Sequence, residues 1–288
     1  MSKSDQPLIR FDDVTFFWPP EDAEAVKRGE VSLEPVFAHF SAELPGGVVS
    51  LVGPNGSGKS TFMLLAGGRI LPQRGQVLLA GTDTRELVDA EAGERRNRLC
   101  SFIYQNMEFE DEGEAAEPLG AVLEFVTSQA EAQGIDPAGS ERRLRNTTDA
   151  LELRGLLNRR LANLSKGELQ RALVAMSILY GSKCIMMDEP CFAMEGRHKE
   201  ATLDLVRSLY SETGCSVYVS LHELALTRKF ADTVMLFYPD RRIDLGAPEE
   251  VLTTQALEDA YGVPAAMLHD SEQLQRSVLL ESALCEKK

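Results

Sequence analysis

The stretch Gly53-Pro54-Asn55-Gly56-Ser57-Gly58-Lys59-Ser60-Thr61 constrains this chain more than any other, because it fits the pattern G-x-x-x-x-G-K-[ST]. It follows the apolar run Val48-Val49-Ser50-Leu51-Val52, which reads as a buried strand, and precedes Phe62-Met63-Leu64-Leu65-Ala66, which reads as the start of a helix. Strand, glycine loop and helix together make a phosphate cradle rather than an ordinary turn. Glycines let successive backbone N–H groups converge on an anion without obstruction by a Cβ. The helix that starts near Lys59 points its positive end at the same place. Lys59 is expected to reach the β- and γ-phosphates, and the Ser60 hydroxyl to ligate Mg²⁺.

Composition narrows the setting. The chain has 288 residues, enough for one large lobed domain or two smaller ones. No apolar run approaches the roughly 18 residues of a membrane span, and the N-terminus, Met1 to Pro7, lacks the apolar centre of a signal peptide. The five cysteines are scattered without a C-x-x-C pair, as expected of reduced thiols. A net charge of −15 argues against nucleic acid or anionic lipid as a direct partner.

Strand signals stand at Leu8–Phe11, Val14–Trp18, from Val36, at Gly75–Gly81, and again at Cys184–Met187, Cys215–Ser220 and Thr233–Phe237. The periodicity between Leu119 and Tyr180 is helical. The acidic run Glu108, Glu110, Asp111, Glu112, Glu114 and Glu117 reads as a solvated loop.

A second nucleotide signal is Ile185-Met186-Met187-Asp188-Glu189-Pro190, an apolar strand that ends in carboxylates. Asp188 then falls at a carboxyl edge of the sheet, where open α/β sheets bind ligands, and is expected to hold Mg²⁺. On an extended backbone the Glu189 side chain would diverge from that of Asp188, free to polarise a water. Between the two signals, Leu164-Ser165-Lys166-Gly167-Glu168 carries the S-x-x-E of a capping box ahead of the helical run Leu169–Tyr180.

With the remaining motifs in order, the chain resembles the ATP-binding cassette (ABC) ATPases across roughly residues 8 to 250. Leu164 to Glu168 resembles the family's LSGGQ signature, Gln105 its Q-loop glutamine, Asp188 and Glu189 its Walker-B pair, His222 its switch histidine. Trp18 lies where the family stacks an aromatic on adenine. The resemblance implies an α/β P-loop NTPase with a RecA-like core, an antiparallel β-subdomain, and a helical subdomain inserted between the Q-loop and Walker B. It places the β-subdomain and P-loop core at about 8–105, the helical subdomain at about 106–180, and the second part of the core at about 181–245. One ABC domain then spans 1–250, and 251–288 forms a C-terminal helical tail.

The resemblance also implies ATP and Mg²⁺ as cofactors, held by residues Gly53 to Thr61, Trp18 and Gln105, with Ser60, Gln105 and Asp188 on the metal. It makes Glu189 and His222 catalytic. It implies a head-to-tail pair of cassettes, as homodimer or heterodimer, in which Leu164, Ser165, Lys166, Gly167 and Glu168 contact the ATP of the partner. Further implied partners are transmembrane permease subunits and a substrate-binding protein, with the chain peripheral on the inner face of the cell membrane. The tail motif Gly246-Ala247-Pro248-Glu249-Glu250-Val251-Leu252 is similar to importer ATPases of the iron–siderophore, haem or cobalamin type. The alternative is a soluble ABC ATPase of a cofactor or cluster assembly system. A guanine-reading N-K-x-D element is not found, which disfavours a GTPase. The chain departs from the family pattern at Lys166, at Glu168, and at Glu195, which stands for the aspartate of S-A-L-D. Cys191 replaces Thr or Ser two residues after Glu189; it reads as a small, inert, partly buried residue in the place of Thr, with a reactive thiol near the site as the alternative.

Overall fold

The computed structural model describes residues 7–20, 34–105, 116–132, 134, 137–265 and 267–268. Glu108 to Glu114 of the acidic run, His269 and Cys285 lie outside the described residues.

Two sheets organise them. The first is antiparallel, with strands in the order β2-β1-β4-β5: β1 Ile9–Phe16, β2 Phe37–Leu44, β4 Arg74–Leu79 and β5 Thr82–Asp83. The sequence reads two strands before Trp18, whereas the structure has one, with its register shifted at Asp12 and Asp13. Asp13 takes φ 50°, and a Cβ on Gly75 would lie 2.4 Å from the carbonyl oxygens of both Asp12 and Asp13. The polar pair is thus a bulge that a glycine on the neighbouring strand makes room for.

The second sheet runs β10-β9-β3-β8-β7-β6, with β3 Val48–Val52, β6 Cys100–Ile103, β7 Cys184–Met187, β8 Ser216–Ser220, β9 Thr233–Phe237 and β10 Ile243–Gly246. Its strands are parallel except β10, which pairs antiparallel with β9. Strands β3, β7 and β8 are buried along their whole length. Continuous burial explains why they read as unbroken apolar runs rather than alternating ones.

Helix α1 (Lys59–Ala66) follows β3 and packs Phe62, Met63 and Leu65 against Phe11, Phe37 and Phe237, joining the two sheets in one core. Helix α2 (Gly93–Leu99) leads into β6. The helical layer consists of α3 (Leu119–Ala132), α4 (Pro137–Ala150) and α5 (Lys166–Tyr180), whose apolar faces share a second core with β7, β8 and α6 (Gly196–Thr213). Arg171, buried on α5, donates to the Leu151 carbonyl at 2.6 Å and so ties α5 to the end of α4. After α7 (Leu224–Phe230), the short α8 (Pro248–Val251) and α9 (Thr254–Tyr261) bury Val251, Leu252 and Leu257 against Val234, Leu236 and Tyr238. The expected boundary at residue 250 lies inside α8.

Candidate functional site

The glycine loop sits at the carboxyl end of β3, and each glycine has its own reason. A Cβ on Gly53 (φ 147°) would fall 2.5 Å from the Phe237 carbonyl oxygen of β9. Gly58 is the N-cap of α1 at φ 107°, a conformation that L-residues rarely adopt, and it offers the helix no side-chain cap. The first N–H groups of α1 are left for an anion to satisfy. Lys59 is buried, and its Nζ donates to the carbonyls of Gly53 (2.7 Å) and Pro54 (3.1 Å). Burial pushes its pKa down, while the nearby charges of Glu189 and Asp188 pull it back up. Asn55, Gly56 and Ser60 are exposed, and Ser57 is buried.

Asp188 and Glu189 lie just beyond the end of β7. Glu189 takes φ 51°, so its divergence from Asp188 comes from a left-handed turn and not from the extended backbone that the sequence suggests. Ser220, the buried last residue of β8, holds this turn. Its Oγ accepts from the Glu189 N–H at 2.8 Å and donates to Asp188 Oδ1 at 2.8 Å. The carboxylate of Glu189 is shared: His222 Nε2 lies 2.6 Å from Oε1, and Gln105 Nε2 donates to Oε2 at 2.6 Å. The structure therefore brings Lys59, Gln105, Asp188, Glu189 and His222 close together. The histidine segment has its own anchor: buried Lys199 of α6 pairs with Glu223.

Trp18 is 48% exposed and its Nε1 donates to Thr61 Oγ1 at 3.1 Å, which stands the indole beside α1. Ser165 caps α5 in a complete capping box: its Oγ accepts from the Glu168 N–H, and the Ser165 N–H donates to Glu168 Oε2 at 2.8 Å. Arg159 adds a bond from Nη1 to Glu168 Oε1 at 3.0 Å. Burial raises the Glu168 pKa, but the Ser165 bonds and the Arg159 charge outweigh it and leave the group below its usual value. Glu168 in place of glutamine is thus matched by an arginine, Arg159. Gly167 is compulsory, since a Cβ there would lie 2.6 Å from the Ala193 carbonyl oxygen. Among the described residues, the side-chain hydrogen bonds of Ser165 and Glu168 stay with each other and with Arg159, and none goes to the glycine loop. Two residues after Glu168 on α5, Gln170 donates to the Gln105 carbonyl at 3.2 Å, linking the capped helix to the glutamine loop.

Cys191 follows the inert one of its two readings: it is 5% exposed, and burial pushes its thiol up to about 12, the setting of a core residue and not of a reactive thiol. Sequence reasoning missed Ser220, Arg159, Lys199 and Arg241, whose Nη1 donates to the Gly56 carbonyl at 2.6 Å. The hydroxyl two residues ahead of His222 was the only local signal for any of them.

A profile of the ABC transporter family matches residues 40–192. The hemin import ATP-binding protein of Hahella chejuensis is 30% identical over 233 residues, covering 78% of this chain and 85% of that protein. A cobalamin import ATP-binding protein of Halobacterium salinarum is 29% identical over 231 residues, covering 77% of this chain and 54% of the relative. Among solved structures, an ATP-binding subunit of an ABC transporter superposes with a TM-score of 0.68 at 20% identity, covering 92% of this chain and 99% of that one. This chain belongs to the ABC transporter family as an ATP-binding subunit, an ATPase.

Proposed function

We propose that the chain drives import through separate membrane permease subunits, hydrolysing ATP between two paired cassettes. The observation that carries the chemistry is the Glu189 carboxylate, held between His222 and Gln105 beside Asp188 and facing the charge of Lys59. In this reading Lys59 and the amides of Gly56 to Thr61 bind the phosphates, and Trp18 offers its exposed face to adenine. Glu189, released from its resting partners, takes the proton of the attacking water, and His222 orients that water against the γ-phosphate.

The donor set suits Mg²⁺. Among the described residues no three of His, Cys, Asp and Glu cluster as a protein-only cage. A few oxygen donors completed by phosphate and water are what Mg²⁺ takes. Ser60 and Asp188 would supply them, with Asp188 turned by its bond from Ser220. Gln105 would join only by giving up its bond to Glu189. When bound, the ion would neutralise charge on the β- and γ-phosphates.

A second, identical or related subunit would present Ser165, Lys166 and the Gly167 amide to that phosphate, at the positive N-terminal end of α5 that Ser165 caps. Docking on permease subunits is supported by a cleft of about 270 Å³ between edge strand β6 and the helical layer, lined by Arg69, Phe102, Tyr104, Val126 and Met176. Tyr104, 39% exposed, adds apolar surface there, the character of a partner site. Among the described residues no helix is long and apolar enough to cross a membrane. In this reading the chain sits on the inner side of the membrane, against its permease subunits. The names of the hemin and cobalamin import relatives support import.

Glu189→Gln tests the core of the reading: ATP binding should persist while turnover falls about 10²-fold or more. Unchanged turnover would remove Glu189 from the role. Co-purification with a permease decides between transport and soluble assembly work, and a chain that purifies only with soluble partners would favour the latter.

A further inference from the structure

Two oddities of this chain flank the two halves of the proposed nucleotide sandwich. Arg241 lies in the turn between β9 and β10, closed by bonds from the Tyr238 N–H to the Arg242 carbonyl and from the Arg241 N–H to the Tyr238 carbonyl. Its backbone has φ 71°, where glycine is the easy choice and an arginine is strained. A strained residue kept against that cost points to work done by its side chain. The guanidinium lies on the glycine loop: Nη1 donates to the Gly56 carbonyl, and Nη1 lies 3.9 Å from where a Gly58 Cβ would be. A guanidinium has five donors, and Arg241 is exposed.

The second oddity is Glu195, one methylene longer than the aspartate of the family pattern. Its side chain is 78% exposed, with Arg197 no nearer than 3.8 Å. Glu195 lies two residues after Ala193, whose carbonyl is the surface against which Gly167 packs. Arg241 therefore borders the loop that would hold the phosphates, and Glu195 borders the cap that would close on them from another subunit.

We infer that Arg241 pairs with Glu195 of a second copy of this chain when ATP draws the two together, so that each copy contributes a carboxylate to the rim of its partner's phosphate loop. This rests on the head-to-tail reading above. If the glycine loop of one copy meets the α5 cap of the other, what borders one approaches what borders the other, and two-fold symmetry makes the contact twice. The extra methylene of Glu195 lengthens its reach, and the Gly56 bond pre-orients the arginine, so little side-chain freedom is lost on pairing. The pair would report closure to the loop itself, since the guanidinium that meets the partner also holds Gly56.

The test uses the full chain with Glu189→Gln, which should accumulate an ATP-bound dimer, measured by sedimentation velocity. Arg241→Glu and Glu195→Arg should each weaken that dimer by about tenfold or more, as like charges then face each other. The double variant should restore most of the loss. Arg241→Gly should weaken the dimer while leaving the monomer as stable as before or more so, because glycine relieves the left-handed backbone. If Glu189→Gln alone stays monomeric with ATP, the homodimeric reading falls and this pair with it. If that dimer forms but the reversals have no effect, or the double variant shows no recovery, the ion pair alone is wrong.

Discussion

Ser220→Ala should damage both stability and turnover, and the structure says how much. Ser220 is 1% exposed, and its hydroxyl makes two bonds of 2.8 Å, one from the Glu189 amide and one to the Asp188 carboxylate. Bonds to a charged group contribute about 1.5–3 kcal/mol, and a buried amide left unpaired costs about 1–3 kcal/mol. Because one hydroxyl serves both, a combined loss of about 2–4 kcal/mol is expected in urea unfolding of the nucleotide-free protein. The second effect is on chemistry. Glu189 sits at φ 51°, a conformation that persists only where its surroundings enforce it. Without Ser220 the turn can relax, and a displacement of about 1 Å at the reacting groups costs on the order of 10²-fold in rate. Steady-state ATPase assays should show the fall in kcat, with ATP affinity measured in EDTA nearly unchanged because the glycine loop is untouched. Ser220→Thr keeps the hydroxyl and should recover much of kcat. Stability within about 0.5 kcal/mol of the parent together with full kcat in Ser220→Ala would refute the argument, as would a threonine variant no better than alanine.

Gly167→Ala would normally help a helix by roughly 0.5–1 kcal/mol, but here the new Cβ meets backbone at 2.6 Å. We expect a net loss of about 1–3 kcal/mol from overpacking, measured by thermal unfolding; a stabilised variant would show that the segment around Ala193 yields freely. Trp18, the single tryptophan, should change its emission when ATP saturates the protein, and Trp18→Ala should weaken binding by about 1–3 kcal/mol. A spectrum indifferent to ATP would make it a packing residue on the β-sheet edge. Cys191 should resist maleimide in the folded protein at pH 8, and mass spectrometry of labelled peptides checks this. Its folded pKa of about 12 lies above the ordinary 9.0, so the stability it contributes is complete below pH 9 and declines as pH rises toward 12. Rapid native labelling at pH 8 would contradict its burial.

Much of this protein is written locally. The buried strands β3, β7 and β8 are short apolar runs, and the glycine loop declares itself because its backbone demands glycine at fixed spacing. The capping box of Ser165 and Glu168 is equally legible, since both bonds close within one helical turn. The sequence also marks Gln105, Asp188, Glu189 and His222 as a set, each at the end of a strand. What it does not contain is the means by which they are held. The bulge at Asp12 and Asp13 depends on Gly75 in another strand, so one strand reads as two. Glu189 turns left-handed because Ser220, 31 positions away in sequence, comes alongside in the parallel sheet. Cys191, two residues from Glu189, leaves both an inert and a reactive reading open in the sequence, and the fold decides by packing it among apolar neighbours and removing the solvent its thiolate needs. Arg159, Lys199 and Arg241 are ordinary charges in the sequence. Only the tertiary structure gives them partners, because a hydrogen bond between distant segments depends on where the chain brings them, which residue type alone does not encode.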